Sequence, residues 1–144
     1  MGYYVSIEEA NWVLPKANQA EALQRLKDLN HKEGVEKRGG SWASGGVKTE
    51  SWFSWTSADY DQHVSSVAEI FDMLGFDYTI EDDGGLRIHS YDNKIGQEEL
   101  FLTEIADLVP KDSCIKWRGE DGAHWMWTTE GVFEGRIVYD REVR

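Results

Sequence analysis

Residues 113–131, with the sequence SCIKWRGEDGAHWMWTTEG, decide the fold of this chain. At the start of the stretch, Ile115 and Trp117 alternate with Lys116 and Arg118, a period of two that is typical of a β-strand with one buried face. Large aromatic side chains bury enough apolar area to nucleate a domain core. The stretch therefore predicts a strand whose apolar face packs on the interior.

The second half of the stretch predicts two further strands. Asp121-Gly122 favours a tight primed hairpin turn, because both residues tolerate positive φ. Trp125 and Trp127 then share one face of the returning strand. Glu130-Gly131 reverses the chain again, and the apolar residues of the third strand are Phe133, Ile137 and Tyr139. We expect a three-stranded antiparallel meander.

The residues before this meander predict helices separated by strands. Apolar residues at helical spacing indicate helices over about 18–30, 60–74 and 97–108, while alternation indicates a strand over 51–55 and a hairpin over 76–88. Two capping pairs mark the starts of the first two helices. They are Asn18 with Glu21, and Asp59 with Gln62.

This order predicts an α+β fold, with a mostly antiparallel sheet and about three helices on one face. The first part is compatible with a split β-α-β unit of the ferredoxin-like type, and the chain ends in the meander. No stretch has the composition of a domain linker, so we expect a single domain over residues 1–144.

The composition excludes several classes of protein. A chain of 144 residues with 40% hydrophobic residues is expected to fold around a core. Its net charge of −12 argues against binding to duplex nucleic acid, which requires Lys and Arg against the phosphates. No apolar stretch approaches the roughly 18 residues of a membrane span, and the N-terminal residues do not resemble a signal sequence. With a lone cysteine, these features predict a cytoplasmic protein without a membrane partner.

The sequence predicts no catalytic residue, no metal site and no cofactor. Its four His residues lack the paired spacing of a metal site, and Cys114 has no neighbouring Cys. Cys114 begins a strand and fits a small buried or edge residue better than a nucleophile. An enzyme whose site is assembled only in three dimensions remains an alternative.

Residues 31–50 form an irregular, glycine-rich stretch that carries the candidate binding site. A loop of this length in a compact domain is usually functional or disordered, so a flexible connector is the other interpretation. Glycines allow backbone N–H groups to approach an anion, Arg and Lys bind phosphate, and a Trp ring can stack on a base. Trp52 and Trp55 fall on opposite faces of a regular strand, so one of them is expected to line a groove beside the loop. The predicted ligand-binding residues are Lys37, Arg38, Trp42, Lys48, Trp52 and Trp55.

The excess of carboxylates supports a second hypothesis, in which the protein inhibits a host protein by mimicking nucleic acid. This hypothesis predicts a continuous negative face built from several elements. Its candidate residues are Glu81, Asp82, Asp83, Glu98, Glu99 and Glu120.

Four segments resemble small proteins of unknown function from bacteriophages and their actinobacterial hosts. They are Met1-Gly2-Tyr3-Tyr4-Val5, Trp52-Phe53-Ser54-Trp55, Ile95-Gly96-Gln97-Glu98-Glu99 and Trp117-Arg118-Gly119-Glu120-Asp121-Gly122-Ala123. The resemblance implies a cytoplasmic accessory protein that counters a host defence, in the host cytoplasm if the protein is phage-encoded. It carries over no functional residue.

The leading hypothesis is therefore a non-enzymatic binding protein, a phage-type accessory or anti-defence factor. It would capture a small phosphorylated ligand such as a nucleotide, or block a host protein. The sequence leaves the oligomeric state open, a homo-oligomer included.

Overall fold

The computed structural model describes residues 3–43, 45–46 and 48–134, except for the side chains of Trp42 and Thr49. In chain order the strands and α-helices are β1 (Tyr4–Asn11), β2 (Val13–Leu14), α1 (Gln19–Leu29), β3 (Gly39–Trp42), β4 (Lys48–Trp52), α2 (Val67–Leu74), β5 (Asp77–Ile80), β6 (Leu86–Ser90), β7 (Asp92–Lys94), α3 (Glu98–Glu104), β8 (Cys114–Gly119), β9 (His124–Thr128) and β10 (Gly131–Glu134). Short 3-10 helices span Lys16–Asn18, Tyr60–Gln62 and Ala106–Leu108. The predicted α+β class is confirmed.

The strands are antiparallel, as predicted, and they are distributed over three sheets. The largest has the order β10-β9-β8-β1-β7, a second has the order β2-β6-β5, and β3 and β4 form a separate hairpin. Every strand pair among the described residues is antiparallel. The strands on either side of α1 belong to different sheets, so the split β-α-β unit expected in the first part of the chain is not formed there. A unit of this type is formed later by β7, α3 and β8, because β7 and β8 lie on either side of β1 and both pair with it in the antiparallel direction. The chain changes sheets at the fully buried Trp12, which lies between β1 and β2.

The C-terminal meander is confirmed as far as it is described. Trp117 pairs with Trp125, and Ile115 pairs with Trp127, so all four side chains belong to one face. Ile115, Trp117 and Trp127 are buried, whereas Trp125 is partly buried and packed against the core. Ile137 and Tyr139 lie outside the described residues.

The turn between β8 and β9 differs from the predicted primed type. Gly122 has φ 88°, but Asp121 does not share a positive φ, which a type I′ turn requires at both central residues. Residues 120–123 form a longer loop in which Gly119 N–H donates to the Ala123 carbonyl at 2.8 Å. Asp121 stabilises this loop, because its Oδ1 accepts from Ala123 N–H and from the Tyr3 hydroxyl.

The predicted start of α1 at Asn18 is confirmed without its capping bond, and the predicted start of the second helix at Asp59 is wrong. Asn18 precedes α1 but makes no side-chain cap, since its Nδ2 donates instead to the Leu108 carbonyl at 2.7 Å. The helix predicted from Asp59 is interrupted after a single 3-10 turn, and α2 begins anew after Ser66, whose Oγ accepts from Glu69 N–H. The predicted end at Gly75 is confirmed by its left-handed φ of 100°.

The stretch predicted as irregular contains the β3–β4 hairpin, and the strand predicted over 51–55 ends at Trp52. Beyond the hairpin, Phe53 enters an aromatic cluster with Phe101 of α3 at 5.4 Å and with Tyr60 at 6.4 Å between ring centroids. All three rings are fully buried. This cluster attaches the segment after β4 to α3 and so positions the site described next.

No helix among the described residues has both the length and the apolar character needed to cross a bilayer.

Candidate functional site

A cleft of about 320 Å³, here called the Arg38 cleft, lies between residues 35–38 and residues 95–100. Its lining residues are Val35, Glu36, Arg38, Ile95, Gly96, Gln97, Glu98, Glu99 and Leu100. One wall comes from the stretch that the sequence predicted as a binding loop, and the other leads into α3. The cleft therefore combines one guanidinium with three carboxylates and a partly apolar wall.

The buried amide of Gln97 joins the two walls. Its Oε1 accepts from the backbone N–H groups of Arg38 at 3.0 Å and Ser54 at 3.1 Å. Its Nε2 donates to the Glu36 carbonyl at 2.8 Å. Three hydrogen bonds from one side chain fix the backbone that carries Arg38, because each of these groups would otherwise lose its partner on burial.

Trp55 lies beside the cleft in an unusual backbone conformation. Its φ is 73°, in the left-handed region that non-glycine residues seldom adopt, and its side chain is 41% exposed. A Cβ at Gly96 would overlap the Trp55 indole, so the glycine allows the ring to lie directly against the cleft wall. Such strained residues cost about 1–3 kcal/mol and cluster at functional sites. This places a predicted site residue at the edge of the cleft.

Glu98 is the buried carboxylate of the cleft, only 2% exposed. Its Oε1 accepts from Gly96 N–H at 2.9 Å and from the Tyr91 hydroxyl at 3.2 Å. Burial raises the pKa of Glu98, while these hydrogen bonds and the charge of Arg38 act in the opposite direction. The buried Glu98 carboxyl is therefore stabilised by hydrogen bonds from within the protein.

Glu99 is half-buried at the same end of the cleft. Burial raises its pKa to about 7, with a smaller contribution from the charge of Glu98. A hydrogen bond from Trp125 Nε1 to Glu99 Oε2, 3.0 Å long, opposes this shift by stabilising the ionised form. A carboxyl group that titrates near neutral pH beside a cleft is typical of functional sites.

Lys37 and Lys48 do not point their charges into the cleft lining. Lys37 Nζ donates to the Asn30 carbonyl at 2.8 Å and lies 5.2 Å from the centroid of the Phe53 ring. Lys48 Nζ donates to the Lys37 carbonyl, also at 2.8 Å. Both ammonium groups therefore stabilise the backbone of residues 30–37.

The remaining predicted site residues belong to the β3–β4 hairpin. Trp52 is half-buried and covers Gly39 across the hairpin, where a Cβ would overlap its indole. Trp52 borders a separate shallow hollow with Glu50 and Thr56. Trp42 ends β3, and its side chain lies outside the described part of the structure. The structure thus places Arg38 in the lining of the cleft and Trp55 beside it, against Gly96, whereas Trp52 borders a different hollow.

Sequence reasoning missed the roles of Gln97, Glu98 and Glu99 in the site, because it explained them as the first turn of a helix. Their burial arises from packing against residues 36–38, 54, 91 and 125, which are distant in sequence. The one local signal was Gly96, which precedes them and receives the Trp55 ring. Burial of Glu98 also removes it from the proposed acidic face.

A larger hollow of about 570 Å³ lies on the opposite face of the meander, beside Cys114, Met126 and Phe133. It also borders Glu134, the last residue described. In the described part of the chain, no group of three or more His, Cys, Asp or Glu side chains is arranged to hold a metal ion. The Arg38 cleft is therefore the candidate site, because it contains a predicted site residue whose backbone is held in place by Gln97.

Comparisons of the chain with protein-family models, with curated proteins and with solved structures give no match.

Proposed function

We propose that the protein is a non-enzymatic binding protein that captures a small phosphorylated ligand, of about the size of a mononucleotide, in the Arg38 cleft. The observation that supports this most is that Arg38 and Glu99 line one cleft, with the exposed Trp55 ring against Gly96 at its edge. Its volume of about 320 Å³ is at the lower end of the range of about 300–1,000 Å³ for small-molecule sites.

Each group has a separate role in this proposal. The Arg38 guanidinium binds phosphate, because its planar fork of N–H donors matches two phosphate oxygens. The Trp55 ring stacks on the base, an interaction worth about 1–3 kcal/mol per base in single-stranded nucleic acid complexes. Lys37 and Lys48 support the Arg38 backbone through the carbonyls they bind.

The carboxylates restrict the ligand further. Glu36, Glu98 and Glu99 outnumber Arg38 in the lining, so inorganic phosphate alone should bind weakly. A ligand that fits must place its anionic group at Arg38 and its hydrogen-bond donors near the carboxylates. A nucleotide has both kinds of group.

The experiment is a calorimetric titration of the purified protein with AMP, GMP, CMP and UMP, and with inorganic phosphate as a further ligand. We expect at least one nucleotide to bind more tightly than phosphate, and R38A to lose most of that affinity. The matched control is R118A, because Arg118 is an exposed arginine of β8 outside the cleft. Equal affinity in R38A and the wild type, or no binding of any nucleotide, would refute the proposal.

The biological setting that we propose is a phage-type accessory protein that counters a host defence in the host cytoplasm. The support for it is the resemblance of the four sequence segments quoted above. Capture of a signalling nucleotide is one way in which a binding protein could act there, and blocking a host protein is the other. Phage plating on cells that express the wild type or R38A would distinguish these two modes. If R38A no longer protects the phage from the host defence, the protein acts through the cleft.

An enzymatic function has one specific observation in its favour. The Glu99 pKa of about 7 suits a general acid or base at neutral pH. Incubation of the protein with each nucleotide, followed by chromatography, tests this alternative. A new product that is absent with E99Q would support an enzyme, whereas unchanged nucleotides would favour capture.

A further inference from the structure

The carboxylates of the Arg38 cleft are not equivalent as ligand acceptors. Glu98 Oε1 already accepts from Gly96 N–H and the Tyr91 hydroxyl. Glu99 accepts from the Trp125 indole through Oε2. An ionised carboxylate has about four acceptor positions on its two oxygens, so Glu99 retains capacity for a bound ligand after this bond. Because Glu98 is almost fully buried whereas Glu99 is half-buried, Glu99 is the better placed of these two carboxylates to accept hydrogen bonds from a ligand.

The hydrogen bond from Trp125 also fixes how Glu99 is presented. Trp125 stacks on the buried Trp117, with ring centroids 6.3 Å apart and an interplanar angle of 11°. A carboxylate whose orientation is held by a packed indole loses little freedom when a ligand binds, which favours selectivity. The acceptor side of the cleft is thus preorganised.

We propose that the cleft selects guanine among the bases, with the Glu99 carboxylate accepting from guanine N1–H and N2–H; this inference rests on the proposed capture of a nucleotide. Guanine presents two adjacent donors on its Watson–Crick edge. Adenine and cytosine present one donor beside an acceptor, and uracil presents one donor between two acceptors. An ionised carboxylate only accepts, so with these three bases it faces at least one lone pair.

The size of the effect follows from the burial of Glu99. A hydrogen bond to a charged group contributes about 1.5–3 kcal/mol, which corresponds to a preference of about 10- to 150-fold. Replacement of Glu99 by Gln keeps the shape of the side chain but turns one acceptor into a donor. The variant should therefore lose the preference for guanine while Arg38 and Trp55 still bind phosphate and base.

The test compares GMP, AMP, CMP and UMP by calorimetry at pH 8, with the wild type, E99Q and E104Q. Glu104 lies on the same helix but pairs with Lys32 at 3.2 Å, outside the cleft lining, so E104Q is the matched control. We expect GMP to bind at least tenfold more tightly than the others to the wild type and E104Q, and all four within about threefold in E99Q. Circular dichroism of each variant verifies that it folds.

The outcomes separate this inference from the proposed function. Nucleotides that bind without a preference for GMP, or a preference that persists in E99Q, would overturn guanine selection and leave nucleotide capture standing. No binding of any nucleotide would overturn both. Guanosine and adenosine serve as further probes, since a preference carried by the base must persist without the phosphate.

Discussion

Trp125 Nε1 donates a hydrogen bond of 3.0 Å to Glu99 Oε2, and this bond joins the C-terminal meander to the helix that borders the Arg38 cleft. The indole stacks on Trp117 at one end of the contact, while the carboxyl lines the cleft at the other. The residues that decide the fold therefore also hold a group of the candidate site. A substitution of Glu99 is therefore expected to affect both the stability of the fold and the candidate site.

The first prediction concerns pH. Because burial raises the Glu99 pKa from 4.5 to about 7, the folded state binds a proton more tightly than the unfolded state does between these values. Glu99 therefore lowers stability as pH rises from 4.5 to 7, by up to about 3 kcal/mol before any discount for partial exposure. E99Q should be as stable as the wild type at pH 4.5 and more stable at pH 8, as measured by urea denaturation.

The same experiment has a control on the same helix. E104Q removes a carboxylate that pairs with Lys32, and such pairs contribute about 0–1 kcal/mol near a surface. E104Q should therefore change stability by less than about 1 kcal/mol. An E99Q variant that is less stable than the wild type at pH 8 would show that burial of the ionised Glu99 carboxylate does not destabilise the fold.

The second prediction concerns the core of the meander. Trp127 is fully buried, and its Nε1 donates to Thr103 Oγ1 at 3.1 Å. Trp127→Ala should cost about 3–5 kcal/mol in the free energy of unfolding, as truncation of large buried aromatics does. Phe133 on the next strand is 51% exposed, so Phe133→Ala should cost less than about 1 kcal/mol. Similar costs for the two variants would contradict the described orientation of the sheet.

The third prediction concerns the Gln97 amide. Gln97→Leu removes partners from Arg38 N–H, Ser54 N–H and the Glu36 carbonyl, and it should cost about 2–3 kcal/mol. Gln97→Glu keeps the oxygen that accepts both bonds, but it replaces the donor with an oxygen that repels the Glu36 carbonyl, so it should also lower stability. Hydrogen exchange at the Arg38 and Ser54 amides should therefore accelerate in Q97L and change less in Q97E. Equal acceleration in both would mean that the amide oxygen does not hold these groups.

The fourth prediction concerns the start of α2. Ser66 Oγ accepts from Glu69 N–H at 3.2 Å, the bond that an N-cap residue makes. Ser66→Ala should cost about 1 kcal/mol, and Ser66→Asp should cost less because its carboxylate can accept the same bond. Thermal denaturation monitored by circular dichroism measures both. Asp59→Ala, at the predicted start that the structure does not use, should have the smaller effect.

The parts of the fold that the sequence predicts are those with a strong local pattern. Alternation in residues 114–128 predicts β8, β9 and their shared face, because period two leaves one register that buries Ile115, Trp117 and Trp127. Gly75 predicts the end of α2, because glycine adopts the left-handed backbone conformation there at a lower cost than other residues. In both cases the local preference and the tertiary structure agree.

The parts that the sequence does not predict depend on distant partners. β3 and β7 are rich in glycine and polar residues, so no alternation marks them, and they become strands by pairing with β4 and β1. Of the candidate site, the sequence predicts Arg38 and Trp55. It does not predict that Gln97 spans the two walls or that Glu99 is buried beside Trp125, because both depend on tertiary packing.

The position of β1 has a consequence for how the protein is made. Val5 pairs with Asn93 on one side and with Gly119 on the other, so β1 lies inside the largest sheet with partners far along the chain. A ribosome synthesises β1 first and β8 near the end of the described residues. The strand has no neighbour until β7 is made and only one until β8 follows, so the sheet cannot close before residues 114–119 have been synthesised. Folding of this sheet is therefore expected to be slow, as it is for proteins dominated by distant contacts.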